Sequence, residues 1–284
     1  MKIVDLSNRA EVVEEMDRLD SRQDRLDRTL LPFPLVNRIF SRYRSLLTCS
    51  VLKDMAKDSS RNYRLADLGA GACDIARWLI RRCRARGLRL TICAVEHDPR
   101  VARHARAANA SYPEIQVVEA DVWKGEVWKG ADYVFANHLL HHLSNEECID
   151  LIRQIDRAGP RQYLLSDLMR SAWAYHGFGL TASALFRNSF VVPDGLASIR
   201  RGFTLPEVRT LVCAAAPIHP VAICRLPPSR FVIIGVGTTR RRITACCTIA
   251  STPCSDGRCT LLRKRSGDRY ATFRCRATGG RSYA

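Results

Sequence analysis

The stretch Arg64-Leu-Ala-Asp-Leu-Gly-Ala-Gly-Ala-Cys-Asp-Ile-Ala-Arg-Trp78 constrains this chain more than any other. A short apolar run ends in Asp67. Gly69 and Gly71 follow at alternate positions, and Ile75, Ala76, Leu79 and Ile80 then recur with helical period. The pattern predicts a strand, a tight glycine turn and a helix, which is where an open α/β sheet takes a nucleotide-like ligand. Glycine turns the backbone sharply and admits a ligand without a Cβ in the way.

The turn excludes two common ligands. A dinucleotide site ends G-x-G-x-x in Gly or Ala and rests a pyrophosphate on the helix N-terminus. Asp74 occupies that last position, and its carboxylate repels a pyrophosphate. The phosphate-cradling G-x-x-x-x-G-K-[ST] loop is absent from the sequence. A nucleoside ligand without phosphate remains.

Three more strands are predicted with polar residues at their C-terminal ends. Leu90–Glu96 ends in an acid 29 residues after Asp67, with room for one helix and a return strand. Ile115–Asp121 ends in a second acid, followed by Val122. Ala131–Asn137 runs into His138-Leu-Leu-His-His-Leu143. An acid at a strand end also caps the next helix well. That reading is preferred for Asp98, which precedes Pro99, and Asp74 likewise suits the positive end of its helix. For Asp67, Glu96 and Asp121 together the ligand reading is preferred.

Asp67-Leu-Gly-Ala-Gly-Ala resembles motif I of the class I S-adenosylmethionine (SAM) methyltransferases, D/E-x-G-x-G-x-G, with Cys73 standing at the third glycine. Glu96-His97-Asp98-Pro99 is similar to the family's motif II. The resemblance covers roughly residues 60 to 237. It implies an α/β fold, a Rossmann-like seven-stranded, mostly parallel sheet with helices on both faces and an N-terminal helical cap. It implies SAM as cofactor, held by Asp67, Gly69, Ala70, Gly71, Glu96, His97, Asp121, Val122 and Asn137. Glu96 would accept the ribose hydroxyls, and Asp121 and Val122 would meet the adenine.

Acceptor chemistry is expected from the second half. His138, His141 and His142 follow strand four, on the edge where the methyl should point, and one of them is expected to serve as base or acceptor contact. Strand five ends in Asp167, with Arg170 just beyond, and either is expected to orient a phenolate or carboxylate. Ser171 to Phe190 is apolar and aromatic and reads as a substrate lid, extending to about residue 203. Pro193-Asp-Gly195 reads as a turn. Thr204 with Glu207 reads as a capping box. Ahead of strand one, Val12, Val13, Met16 and Leu19 have helical spacing within Val4 to Leu30, Pro32 and Pro34 break the pattern, and Leu35 to Leu47 is a stronger amphipathic helix. Residues 1–58 are thus expected to form the cap, with Arg42 and Tyr43 as candidate pocket residues, and 59–237 the SAM-binding domain.

Residues 238–284 differ from the rest. They hold eleven Lys and Arg against Asp256 and Asp268, so +9 of the formal +17, and five of the twelve Cys. Cys254 and Cys259 lack a matching pair, so no metal site is expected. The segment is expected to be a basic, disordered tail. Its charge keeps an RNA methyltransferase as an alternative. Against that, Asn137-His-Leu-Leu stands where amino-group nucleic-acid methylases carry Asn/Asp-Pro-Pro-aromatic. A non-catalytic SAM-fold protein that binds a ligand or partner is the other alternative. With no run of eighteen apolar residues and no basic–apolar–small leader pattern, no membrane partner and a cytoplasmic location are expected. The leading expectation is methylation of a small aromatic or apolar molecule at O or C.

Overall fold

The structure is a computed structural model. It describes residues 4–18, 28–123, 127–186 and 189–237, together with two strands at 259–264 and 270–274. Ahead of the sheet lie α1 (Phe33–Phe40) and α2 (Tyr43–Leu47), which continues through a π-wound turn, Thr48–Leu52, to Lys53–Met55. The sheet begins with β1 (Asn62–Leu68), α3 (Asp74–Arg84), β2 (Arg89–Glu96), α4 (Pro99–Ala108) and β3 (Ile115–Glu119). The other half comprises β4 (Tyr133–Asn137), α5 (Asn145–Ala158), β5 (Gln162–Leu168), α6 (Ala172–Leu185), α7 (Val191–Arg201), α8 (Leu205–Ala215), β6 (Val221–Leu226) and β7 (Arg230–Val236).

These seven strands lie in the order β3-β2-β1-β4-β5-β7-β6. The first five are parallel, and β7 runs antiparallel to both neighbours. The chain leaves β1 towards β2 on one side and reaches β4 on the other. The crevice beyond the ends of β1 and β4 is therefore the switch point at which such sheets bind ligands. Side chains alternate across the sheet as a two-residue period requires. Leu65 joins a core shared with Leu46, Met55 and Leu79 on one face, and Ala66 and Leu68 join Leu151, Ile155 and Val212 on the other.

Local chemistry sets several boundaries. Asp98 caps α4 by accepting the Arg100 N–H at 2.7 Å, with Pro99 in the first turn. Ser144 with Glu147 and Thr204 with Glu207 form capping boxes. Pro32 and Pro34 open α1, where a missing N–H costs nothing.

Three expectations fail. Residues 4–14 form no helix. Their backbone carbonyls are taken elsewhere: Leu6 and Ser7 accept from Arg170 at 2.9 and 3.1 Å, and Val12 accepts from Arg201 at 3.1 Å. Of the rest of the expected first helix, Glu15–Asp17 form one 3₁₀ turn, residues 28–30 are helical, and residues 19–27 lie outside the described residues. Pro193 and Gly195 make no turn but lie inside α7. Pro193 falls in the first turn, and Gly195 lets α7 cross α6, since a Cβ there would meet the Phe178 ring at 2.3 Å. Within the tail, β8 (Cys259–Lys264) and β9 (Tyr270–Arg274) are strands, with β8 antiparallel to β6, so the sheet has nine. The ladder groups on the outer edge of β6 draw β8 into register. The remaining tail residues lie outside the described set. No described helix is long and apolar enough to cross a membrane.

Candidate active site

A cavity of about 700 Å³ opens at the switch point and runs from the glycine turn to the N-terminal segment, α6 and α7. Its floor is the β1–α3 turn. Gly69 and Gly71 have φ of +66° and +53°, which glycine adopts freely. A Cβ at Gly71 would meet nothing within 4 Å, so the backbone there faces open space. Cys73 takes φ +59° at the position of the motif's third glycine, with its side chain buried against α3.

Glu96 is fixed at the end of β2 by two backbone donors. The Gly71 N–H meets Oε2 at 3.0 Å and the Asp98 N–H meets Oε1 at 3.0 Å. His97 Nδ1 lies 3.3 Å from Oε1, and that contact raises the imidazole's pKa against its partial burial. Asp67 is buried between Glu96 and Asp74. Burial first, and then the charges of Asp74 and Glu96, push it up to about 8. Burial also raises Asp74, against a bond from Asn37 Nδ2 at 3.2 Å. Among the described residues, no Lys or Arg forms an ion pair with any of these three acids. Ala70, Asp121, Val122 and Asn137 also line the cavity. Asp121 is exposed and accepts the Trp123 N–H at 3.1 Å, and Val122 is buried. The expected cofactor residues thus converge on one end.

The other end holds the histidines. His138 follows β4 with φ +63°. Its Nε2 lies 3.0 Å from Arg230 Nη1, and Arg230 Nη2 reaches Asn137 Oδ1 at 2.7 Å. Burial and then the guanidinium hold His138 well below the ordinary histidine pKa. Burial lowers Arg230 to about 10. His141 and His142 lie in and beside a 3₁₀ turn, Leu140–His142. His141 Nδ1 meets Asp167 Oδ1 at 2.7 Å, and the His141 N–H meets Oδ2 at 3.0 Å. On its other side Nε2 lies 3.5 Å from Glu14 Oε1. Burial works against the imidazolium, but Asp167 and Glu14 outweigh it and raise His141 to about 9. Burial likewise opposes the charged forms of Glu14 and Asp167. His141 chiefly offsets it, holding Glu14 at about 2 and Asp167 below the usual carboxylate range. His142 Nδ1 lies 3.1 Å from Asp17 Oδ2, and its Nε2 is 3.9 Å from Glu14 Oε1.

Four sequence candidates do not reach the cavity wall. Asp167 is fully buried behind His141. Arg170 spends its donors on the Leu6, Ser7 and Gly202 carbonyls and on Glu207 Oε1 at 2.6 Å, so it ties the N-terminal segment to α8 instead of meeting an acceptor. Tyr43 is buried against Trp78, ring centres 5.3 Å apart. Arg42 is not among the lining residues either. Conversely, Glu14, Asp17, Asn37 and Arg230 were missed. Each comes from a part of the chain whose local pattern carries no motif.

Residues 65–159 match the family model described as a methyltransferase domain. No match was found among curated protein sequences. Several solved structures are similar. The plantazolicin methyltransferase BpumL in complex with SAH aligns with a TM-score of 0.57 at 12% identity, over 79% of this chain and 93% of that one. Human N-acetylserotonin methyltransferase in complex with SAM gives 0.53 at 18% identity, over 76% of this chain and 57% of that one. The N,N-8-amino-8-demethyl-D-riboflavin dimethyltransferase RosA from Streptomyces davawensis gives 0.51 at 19%, over 76% and 58%. The chain therefore spans just over half the length of the latter two. The fold is the class I methyltransferase fold. The segment that matches the methyltransferase-domain model runs from β1 to the end of α5.

Proposed function

We propose that the protein transfers a methyl group from SAM to a small apolar or aromatic molecule. The observation that carries this is the cavity's two-ended chemistry. At one end, three buried acids face open space above Gly71, with no Lys or Arg ion pair among the described residues. Asp67 holds a proton near neutral pH, and the carboxylates beside it fit a ligand with net positive charge and disfavour a phosphate. Glu96, already held by two N–H groups, keeps oxygen lone pairs for hydroxyl donors. Asp67, the Gly69–Gly71 backbone, His97, Asp121, Val122 and Asn137 complete the cofactor end. SAM when bound supplies an activated methyl group that needs no further chemical activation.

The protein's part is then placement and proton handling. Phe33, Phe40, Phe178 and Ile199 give the far end apolar walls that select an apolar acceptor and exclude water. Holding the acceptor in line with the methyl supplies most of the rate. A hydroxyl acceptor must also lose a proton. His138 is a poor recipient, because its Nε2 already accepts from Arg230. His142, partly exposed on the same wall beside Glu14 and His141, is the better placed.

Isothermal titration with SAM and S-adenosylhomocysteine tests the cofactor end, and methyl transfer to a panel of phenols tests the acceptor end. Absence of heat with either ligand would sink the proposal.

A further inference from the structure

Two histidines and one carboxylate in the cavity wall have the arrangement of a metal centre. We propose that Glu14, His141 and His142 bind one divalent first-row transition-metal ion, with its open positions facing the acceptor end of the cavity. Three observations carry it.

The first is convergence. One ligand atom from each of the three residues lies within 4.8 Å of the other two. Glu14 Oε1 is 3.5 Å from His141 Nε2 and 3.9 Å from His142 Nε2. Both separations exceed the 2.7–3.2 Å range of a good N–H···O hydrogen bond. They approach the edge of a tetrahedron with metal–ligand bonds of about 2.0–2.1 Å, roughly 3.3 Å. The second is the outer shell. Each imidazole has a carboxylate on its other nitrogen, Asp167 Oδ1 at 2.7 Å from His141 Nδ1 and Asp17 Oδ2 at 3.1 Å from His142 Nδ1. A carboxylate there fixes the Nδ1–H tautomer and points Nε2 inward, which is how metal-binding histidines are commonly oriented. The third is rigidity. Ser198 Oγ holds Glu14 Oε1 at 2.7 Å, and Arg201 holds the His141 and His142 carbonyls at 3.0 and 3.1 Å.

Two imidazoles and a carboxylate suit Zn²⁺, Fe²⁺ or Co²⁺ better than Mg²⁺ or Ca²⁺, which prefer all-oxygen sites. An ion here would take an oxygen of the acceptor and acidify a bound hydroxyl. That role rests on the methyl-transfer reading; metal binding itself does not. The sequence expectation of no metal came from cysteine spacing in the tail. It had no view of Glu14, which folding carries across the chain to His141.

Co²⁺ alone, added to the metal-free full-length protein, tests the site by visible absorption. The wild type should bind one equivalent more than His142→Ala, with ligand-field bands and no thiolate charge-transfer band from that equivalent. Asp17→Asn keeps all three ligands and should weaken the same equivalent about 10–100-fold. S-adenosylhomocysteine titration of each variant reports folding and the cofactor end separately. Equal cobalt stoichiometry in the wild type and a folded His142→Ala overturns the proposal, as does binding through cysteines only.

Discussion

Arg230 donates to His138 across 3.0 Å, and the direction of that bond is fixed because a guanidinium has no acceptor. His138 must accept at Nε2, so its proton sits on Nδ1 and the ring is neutral. Burial and the positive charge beside it act the same way. Histidine NMR should accordingly find His138 in the Nδ1–H tautomer with no titration between about pH 5 and 8, the range in which an ordinary histidine changes charge. Arg230→Met should shift its titration upward, while burial, the larger cause, still holds it below the ordinary value. A His138 that titrates normally in the wild type would show the contact does not persist in solution.

Glu96 is held in place before any ligand arrives, so its removal should act on affinity and not on folding. Glu96→Ala should lose charge-assisted bonds worth roughly 1.5–3 kcal/mol, a drop of about 10- to 100-fold in affinity for both SAM and S-adenosylhomocysteine. Calorimetry on the variant measures this directly. Unchanged affinity removes Glu96 from the cofactor end.

Asp67 makes stability depend on pH. Its pKa rises from 3.8 to about 8 on folding, so between those values the folded state holds a proton that the unfolded chain has released. Stability is unaffected by this group below about pH 4, falls as pH climbs through the window, and levels off above about pH 8. The slope from one such group is at most about 1.4 kcal/mol per pH unit. Asp67→Asn should flatten it and raise the melting temperature of the ligand-free protein at alkaline pH. A variant whose pH profile matches the wild type would count against the three-acid cluster.

Gly195 sits where α6 and α7 touch. A methyl group there meets the Phe178 ring at 2.3 Å, and Phe178 in turn packs edge-on against Phe40 at 5.4 Å. Both rings line the cavity. Gly195→Ala should cost roughly 1–3 kcal/mol by overpacking. It should also raise KM for the acceptor more than the Kd for SAM, because the displaced rings wall only one end. Denaturant melts and the two constants test this together.

The residues proposed for the cofactor end stand out in the sequence because their signals are local. Asp67, Glu96 and Asp121 each close a strand, and glycines at alternate positions force a turn whatever the rest of the chain does. The caps at Asp98, Ser144 and Thr204 work within four residues and need no tertiary information. The acceptor end depends on distant pairs. Glu14 meets His141, Arg230 meets His138, and no periodicity links either pair. Arg170 shows the converse error. Its place after a strand end suggested chemistry, but its donors all face backbone carbonyls and Glu207. Gly195 was read from its usual turn chemistry, and only the packing of Phe178 explains a glycine inside a helix.

The tail can be separated from the site by truncation. Every described residue lining the cavity precedes β8, and the described residues of both large core clusters end at Val236. What the tail adds among the described residues is an edge: β8 pairs with β6 from Cys224 to Val221. Deleting residues 238–284 should leave SAM affinity within about twofold, well under the tenfold that 1.4 kcal/mol would bring. It should lower stability, because an open β6 edge loses its ladder partners. It should also remove most salt-sensitive RNA binding, since +9 of the formal +17 lies there and such binding follows the number of phosphates neutralised. Calorimetry, thermal melts and filter binding at two salt concentrations read the three outcomes. Loss of SAM binding would make the β6–β8 pairing essential to the site. Tight RNA binding by the truncated domain, with methylation of that RNA, would replace the small-molecule reading with the nucleic-acid one.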